Sequence, residues 1–517
     1  MKPNIVIVMC DQMRADLRKG RGYPLDTMPF LDSFEKNWCG FENAYTSNPT
    51  CMPARVSMLT GRYASCHNVR TNHNVHDAVY SKDMIDVLKE NGYATSLCGK
   101  NHSHLTKDET DFWEECFHLG AMETMNPDED EAALDCFLKT LNFCDSDVPS
   151  PFTVKEQLPY RNVSSFFSFI DSLEKDKPFF SWVSFSEPHN PYQVPKPYFD
   201  MFPPESLPEI KTDLTGKSEK FLFMRKMWEK VYGSDIEKRI LRDRSNYLGM
   251  LRLIDDQFRR LYEGLEERGL ISNTVVFFIS DHGDFAGEYG LIRKGPDLAE
   301  PLVRIPFAVG GGPLKQRGID AKIMVSITDI FPTVCALIGH KTPFGVQGRN
   351  LLPVLEGKPY PEKDFETAYS ECGFGGLYWN GNDALDPETE GAATEDWHAF
   401  DCLNTWTQAG TVRMVRKGRF KLVGDMMGTF RLYDIMGDPM EENDLSGKSE
   451  YSAVFTDMLK ELSSAIMRAS DPIPSPSGRY RVKYHPDGYF FDEGFRMEKD
   501  PGVTYIPVIT EKRRFKE

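Results

Sequence analysis

Two polar clusters stand at the ends of apolar runs, and their residue types suit a hard divalent cation. Ile5 to Met9 ends at Cys10-Asp11-Gln12, and Val275 to Ile279 ends at Ser280-Asp281-His282-Gly283-Asp284. Asp11, Asp281 and the amide oxygen of Gln12 are the oxygen donors that Ca²⁺ or Mg²⁺ takes. His282 adds a nitrogen, more at home on Mn²⁺ or Zn²⁺. Either pair alone reads equally well as a carboxylate capping a helix. Two pairs at two strand ends weigh toward metal. Between them lies Cys51-Met52-Pro53-Ala54-Arg55. If Cys51 opens a helix, Arg55 lies one turn on and its guanidinium reaches the same space. Further cations and imidazoles occur in Gly99-Lys100-Asn101-His102, in Glu187-Pro188-His189-Asn190-Pro191 and at Lys294 in Ile292-Arg293-Lys294-Gly295. Each, taken singly, is an ordinary loop or core residue. The Pro-rich loop holds His189 at low entropic cost.

Positioning these groups requires a particular frame. The runs Ile5 to Met9, Ala94 to Cys98, Phe179 to Phe185 and Val275 to Ile279 are short, apolar and rich in β-branched or aromatic residues, so they predict buried parallel strands. Helical periodicity falls between them. Thr27 is expected to cap a helix carrying Phe30, Leu31 and Phe34, and Ser81 one carrying Met84, Val87 and Leu88 that ends at Gly92. Ser164 to Leu173 and the long stripe from Ile236 to Arg268 are further helices. Alternation of this kind predicts an α/β fold with a doubly wound, mostly parallel sheet, whose sites lie at the carboxyl ends of its strands.

The motif at Cys51 is more specific than its residues taken singly. Cys51-x-Pro53-x-Arg55 followed by Leu59-Thr60-Gly61-Arg62 resembles the signature of type I sulfatases in the alkaline-phosphatase superfamily, where the Cys is oxidised to formylglycine (3-oxoalanine) by a maturation enzyme. A hydrated formylglycine carries two hydroxyls, one to attack sulfur and one to expel sulfate as the aldehyde returns, which a thiol cannot do. The resemblance implies one divalent metal (Ca²⁺ first, Mn²⁺ or Mg²⁺ as alternatives) on Asp11, Gln12, Asp281, His282 and the residue made from Cys51. It implies sulfate held by Arg55, Lys100 and Lys294, a diol assisted by His102, and a leaving alcohol protonated by His189. Asn72 sits where one branch places a polar group near the metal, with His67, Arg70 and His73 as weaker neighbours. Asp-Gln and Asp-His replace the commoner Asp-Asp and Asp-Asn, as in the branch of choline sulfatase and the phosphonate monoester hydrolases. The implied substrate is a sulfate monoester of a sugar or small molecule. A phosphonate monoester or phosphodiester is the alternative, disfavoured by Lys100 and His102. A dead binding protein would lack a nucleophile, ligand or cation, and none is missing.

The bulk numbers set outer limits. The chain has 517 residues, 40% of them hydrophobic, which suits an ordinary globular enzyme. A net charge of −17 argues against nucleic-acid binding. No apolar window is long enough to span a membrane. The 11 cysteines are scattered as expected for buried thiols. The N-terminal apolar run is too short for a signal peptide, so a cytoplasmic location is expected, or a periplasmic or secreted one for a chain whose leader has been removed. The expected organisation is a catalytic domain over 1–375 with an acidic insertion near 106–160, a C-terminal subdomain with a small antiparallel sheet and helix over 376–470, and an extended tail over 471–517; the resemblance to the branch above implies that such a tail joins subunits into a homo-oligomer.

Overall fold

The apolar runs pair edge to edge into one large sheet. The computed structural model describes residues 2–295, 297–314, 318–343, 345–373, 410–470 and 512–513. The sheet contains β1 (Asn4–Asp11), β2 (Cys39–Tyr45), β3 (Ala94–Gly99), β4 (Phe112–Glu114), β5 (Phe179–Pro188), β6 (Thr274–Ser280), β7 (Phe307–Gly310) and β8 (Ile319–Ser326). Its order is β8-β2-β7-β6-β1-β5-β3-β4. Only β7 runs antiparallel to its neighbours. The strands β6, β1, β5 and β3 are consecutive and parallel, so their carboxyl ends share one edge of the sheet. β1, β5 and β6 are buried along their whole length, which is why they read as continuous apolar runs rather than alternating ones.

Two groups of helices pack into the same core as the sheet. One holds α1 (Pro29–Asn37), α4 (Leu158–Asp171) and α5 (Ile236–Glu267); the other holds α2 (Cys51–Thr60), α3 (Met84–Glu90) and α6 (Ile330–Leu337). The caps differ from expectation. Thr27 donates its hydroxyl to Leu17 O, and the first-turn N–H groups of Phe30 and Leu31 are received by Asp255 from α5. The cap is thus supplied by a packed neighbour, which local sequence cannot reveal. For α3 the cap is Asp83, reciprocated by Asp86, rather than Ser81.

The acidic stretch after residue 106 is only partly an insertion. Its β4 is the edge strand of the large sheet, paired in parallel with β3. A two-residue hairpin, Cys116–Phe117 against Gly120–Ala121, and a helix, Glu129–Leu141, then leave the sheet. The C-terminal subdomain is a four-stranded antiparallel sheet of β9 (Thr367–Cys372), β10 (Val412–Lys417), β11 (Phe420–Asp425) and β12 (Phe430–Asp434), covered by α7 (Ser452–Ser470). Its first strand precedes the boundary expected at 375. Lys421 of β11 and Tyr45 of β2 both bond buried Glu300, tying this subdomain to the main body. The expected long loop near 375–410 and most of the tail lie outside the described residues. Lys512–Arg513 pairs antiparallel with Val79–Tyr80. Every cysteine among the described residues is a free thiol. No helix among them is long and apolar enough to cross a membrane.

Candidate metal centre and active site

The shared carboxyl edge of β6, β1, β5 and β3 delivers most of the site. Asp281 follows β6, Asp11 closes β1, His189 follows β5 and Lys100 follows β3. Gly99 makes the last placement possible: its φ is +115°, and a Cβ there would lie 2.0 Å from Ser184 O. Cys51 is the first residue of α2, and its Sγ enters the same space.

Ligand atoms of Asp11, Cys51, Asp281 and His282 all lie within 4.8 Å of one another, and all four residues are buried. Cys51 Sγ is 3.1 Å from His282 Nε2 and 3.6 Å from Asp11 Oδ1. His282 donates Nδ1–H to Gly283 O (2.9 Å), which turns Nε2 toward the cluster. Burial alone would push the His282 imidazole down. Asp281, Cys51 and Asp11 outweigh it and raise it to about 9. The centre therefore attracts positive charge.

Gln12 sits in a left-handed turn, φ 70°, just past β1. Its N–H bonds Asp281 Oδ1, and Tyr247 OH from α5 donates to its carbonyl oxygen. Its Nε2 donates to Asp284 Oδ2, while its buried Oε1 has no partner among the described residues. An orphaned buried amide oxygen beside two carboxylates and an imidazole fits a divalent cation.

Arg55 is fully engaged with the centre's own frame. Its Nε donates to Asp281 Oδ2 (2.8 Å) and its Nη2 to Asp11 Oδ2 (3.1 Å). Its Nη1 reaches Lys100 O and Ser184 Oγ. The guanidinium thus locks the two carboxylates in place. Lys100 Nζ also bonds Asp11 Oδ2. Burial raises the Asp11 carboxyl, but Lys100 and Arg55 hold it well below the usual range. It is an anion at any working pH.

The opposite wall carries the imidazoles. His189 donates Nδ1–H to Asn190 O (2.7 Å), and its Nε2 lies 3.2 Å from Lys294 Nζ. Burial and then Lys294 hold it well below the ordinary histidine value. His102 is half-buried with φ 46°. It feels the charges of Lys100, Arg55, Asp11 and Lys294, and its Nδ1 has no partner among the described residues.

The weaker candidates are differently occupied. Asn72 Oδ1 accepts the N–H of Met52 (3.1 Å), capping the first turn of α2, so only its Nδ2 is left for a ligand. His67 bonds Ser57 Oγ and Val69 N inside the core, and burial pushes it down to about 3. Arg70 is half-buried and His73 is exposed.

Two residues escaped the sequence reading. Asp284 orients the Gln12 amide, and its place in Asp281-His282-Gly283-Asp284 was the available signal. His118 bonds Lys100 and stacks on His189. It sits in the variable stretch, where no motif marks it.

Residues 3–340 match the family described as Sulfatase. The arylsulfatase of Clostridium perfringens (strain 13 / Type A) is 30% identical over 408 residues, covering 72% of this chain and 82% of that one. The ulvan-active sulfatase of Formosa agariphila is 26% identical, covering 94% of this chain and 84% of that one. Among solved structures, the phosphonate monoester hydrolase of Agrobacterium radiobacter shares the fold, with a TM-score of 0.70 at 21% identity over 90% of this chain and 96% of that one.

Proposed function

The chain belongs to the sulfatase family and is a sulfuric ester hydrolase; from that premise we propose that it acts through a formylglycine made from Cys51 and one divalent cation held by Asp11, Gln12, Asp281 and His282. The convergence of Asp11, Cys51, Asp281 and His282 within 4.8 Å carries this reading. The two carboxylates and the amide oxygen favour Ca²⁺, and the imidazole keeps Mn²⁺ and Mg²⁺ as alternatives. When present, the cation supplies Lewis acidity, and the hydrated formylglycine supplies an oxygen nucleophile able to return to the aldehyde.

The remaining steps belong to this chain's own side chains. Lys100 and Lys294 neutralise the sulfate oxygens. Arg55 acts behind them, holding Asp11 and Asp281 apart and in register. His189 Nε2, the acceptor of the Lys294 ammonium at 3.2 Å, takes a proton from Lys294 and passes it to the departing alcohol oxygen. His102 assists sulfate release through its open nitrogen. Asn72 borders the site through its Nδ2. The substrate we propose is a sulfated saccharide or small alcohol, which the ulvan-active relative supports. A formylglycine-generating enzyme is the required partner.

Mass spectrometry across Cys51, with aryl sulfate and aryl phosphonate turnover in added Ca²⁺ or Mn²⁺, tests the proposal. A loss of about 18 mass units at Cys51 and sulfate turnover abolished in Cys51→Ala are expected. Faster phosphonate than sulfate turnover by modified protein would move the enzyme to the phosphonate reading. No turnover of either ester by fully modified protein would refute the proposed mechanism for these substrates.

A further inference from the structure

His118 occupies the two-residue turn of the Cys116–Phe117/Gly120–Ala121 hairpin. The hairpin is built to hold it. Gly120 has φ +117° and packs on Asp135, whose carboxylate accepts Ala121 N (3.0 Å) and is itself held by Arg161 (2.7 Å). From this turn the His118 ring lies 3.7 Å from the His189 ring at an interplanar angle of 19°. Its Nε2 is 2.8 Å from Lys100 Nζ. A lysine ammonium only donates, so the His118 Nε2 accepts and the ring is neutral with its proton on Nδ1. The same logic applies to His189 and Lys294. Two lysine–imidazole pairs are thus stacked face to face between Asp11 and the loop after β6.

We propose that His118 is a positioning residue of the sulfatase reaction, coupling the sulfate-holding Lys100 to the proton-carrying His189. Its ring fixes the plane of His189, and its Nε2 fixes one direction of the Lys100 ammonium, which also bonds Asp11 and lies 4.8 Å from the centre of the Phe117 ring. This role rests on the sulfatase reading and extends it to a hairpin that the motifs do not include. The charged and titratable groups bearing on the pair are Lys100, Lys294, Asp11 and His102. Burial, and then the neighbouring imidazole and lysines, push both imidazoles toward the neutral form.

Two substitutions separate the two contacts. His118→Phe keeps a ring against His189 and removes the acceptor for Lys100. It is expected to raise KM for an aryl sulfate about tenfold with kcat and the pH profile nearly unchanged. His118→Gln keeps an acceptor and removes the ring. It is expected to lower kcat about tenfold or more and to move the His189 limb of the pH profile upward, because that imidazole loses an apolar face. Both variants should keep the wild-type melting temperature within a few degrees. Values of KM, kcat and pH limb within about twofold of wild type in both variants, or identical losses in both, would overturn the proposal. ¹⁵N NMR of the histidine rings gives a readout independent of turnover: His118→Gln should shift the His189 signals. A shift in a protein that turns over no sulfate ester would refute the sulfatase reading while the stack stands; turnover without a shift would refute the role of His118 alone.

Discussion

Replacing Asp284 by Asn isolates the part of the metal centre that is set by orientation rather than by a ligand. Asp284 is fully buried and accepts three hydrogen bonds: from Gln12 Nε2, from Tyr192 OH (2.5 Å) and from Ala286 N (2.5 Å). A carboxylate is a pure acceptor, so it forces the Gln12 NH₂ toward itself and Oε1 away. The carboxamide of the Asp284→Asn variant would offer one oxygen and one NH₂ to the same three donors. The Gln12 amide then loses its charge-assisted bond, worth about 1.5–3 kcal/mol, and is free to present NH₂ where the cation needs oxygen. Outer-shell losses of this kind typically weaken metal binding by about 10- to 100-fold. With about 1.4 kcal/mol per tenfold, that range is about 1.4–2.8 kcal/mol, close to the energy of the lost bond. The assay is Ca²⁺ competition against a chromophoric chelator on metal-stripped protein, with kcat measured at saturating Ca²⁺. The expected result is a Kd raised about 10- to 100-fold with kcat largely recovered at saturation. Tyr192→Phe, which removes a donor and leaves both Asp284 and Gln12, should change Kd far less. An Asp284→Asn Kd within about twofold of wild type would refute Gln12 Oε1 as an oriented ligand.

Three further outcomes follow from buried groups. Arg55→Met leaves Asp11 and Asp281 without their shared guanidinium, and should destabilise metal-free protein by about 3–5 kcal/mol in urea unfolding; a loss under about 1 kcal/mol would contradict the lock. Asp255 is raised to about 7 because burial outweighs the N–H groups of Phe30 and Leu31. The unfolded chain releases that proton near pH 4 and the folded chain near pH 7, so stability falls across this window, by up to about 1.4 kcal/mol per pH unit. Asp255→Asn should therefore gain on wild type as pH rises from about 5 to 7, read from melting temperatures at both values; a constant difference would sink the assignment. Gly99→Ala puts a Cβ onto Ser184 O at a positive φ, and should cost about 2 kcal/mol or more and displace Lys100, seen as a lower melting temperature together with a raised KM.

Much of the centre was legible because each ligand ends an apolar run. Continuous burial on both faces forces strands such as Ile5 to Met9 to be apolar throughout, so the first polar residue after them marks the carboxyl edge of the sheet. Asp11 and Asp281 were found in that way; Lys100 and His189 follow such runs too, but the family resemblance singled them out, and the signature around Cys51 added the helix start. Helix caps were less legible. Asp255 caps α1 from 225 residues away in sequence, and no local pattern encodes a partner that remote.

The sequence by itself determined the strand–helix alternation, the donor types at the strand ends and the Cys51 motif, because periodicity and residue chemistry are local. Only the tertiary structure decided what each donor faces. It turned Arg55 onto the two carboxylates, set Gln12 Oε1 free by binding its NH₂ to Asp284, and engaged Asn72 Oδ1 with the first turn of α2. It also brought His118 from a variable hairpin onto His189, remote in sequence and 3.7 Å away in space. A hydrogen bond or ring contact depends on direction at short range, and direction is settled when the chain packs.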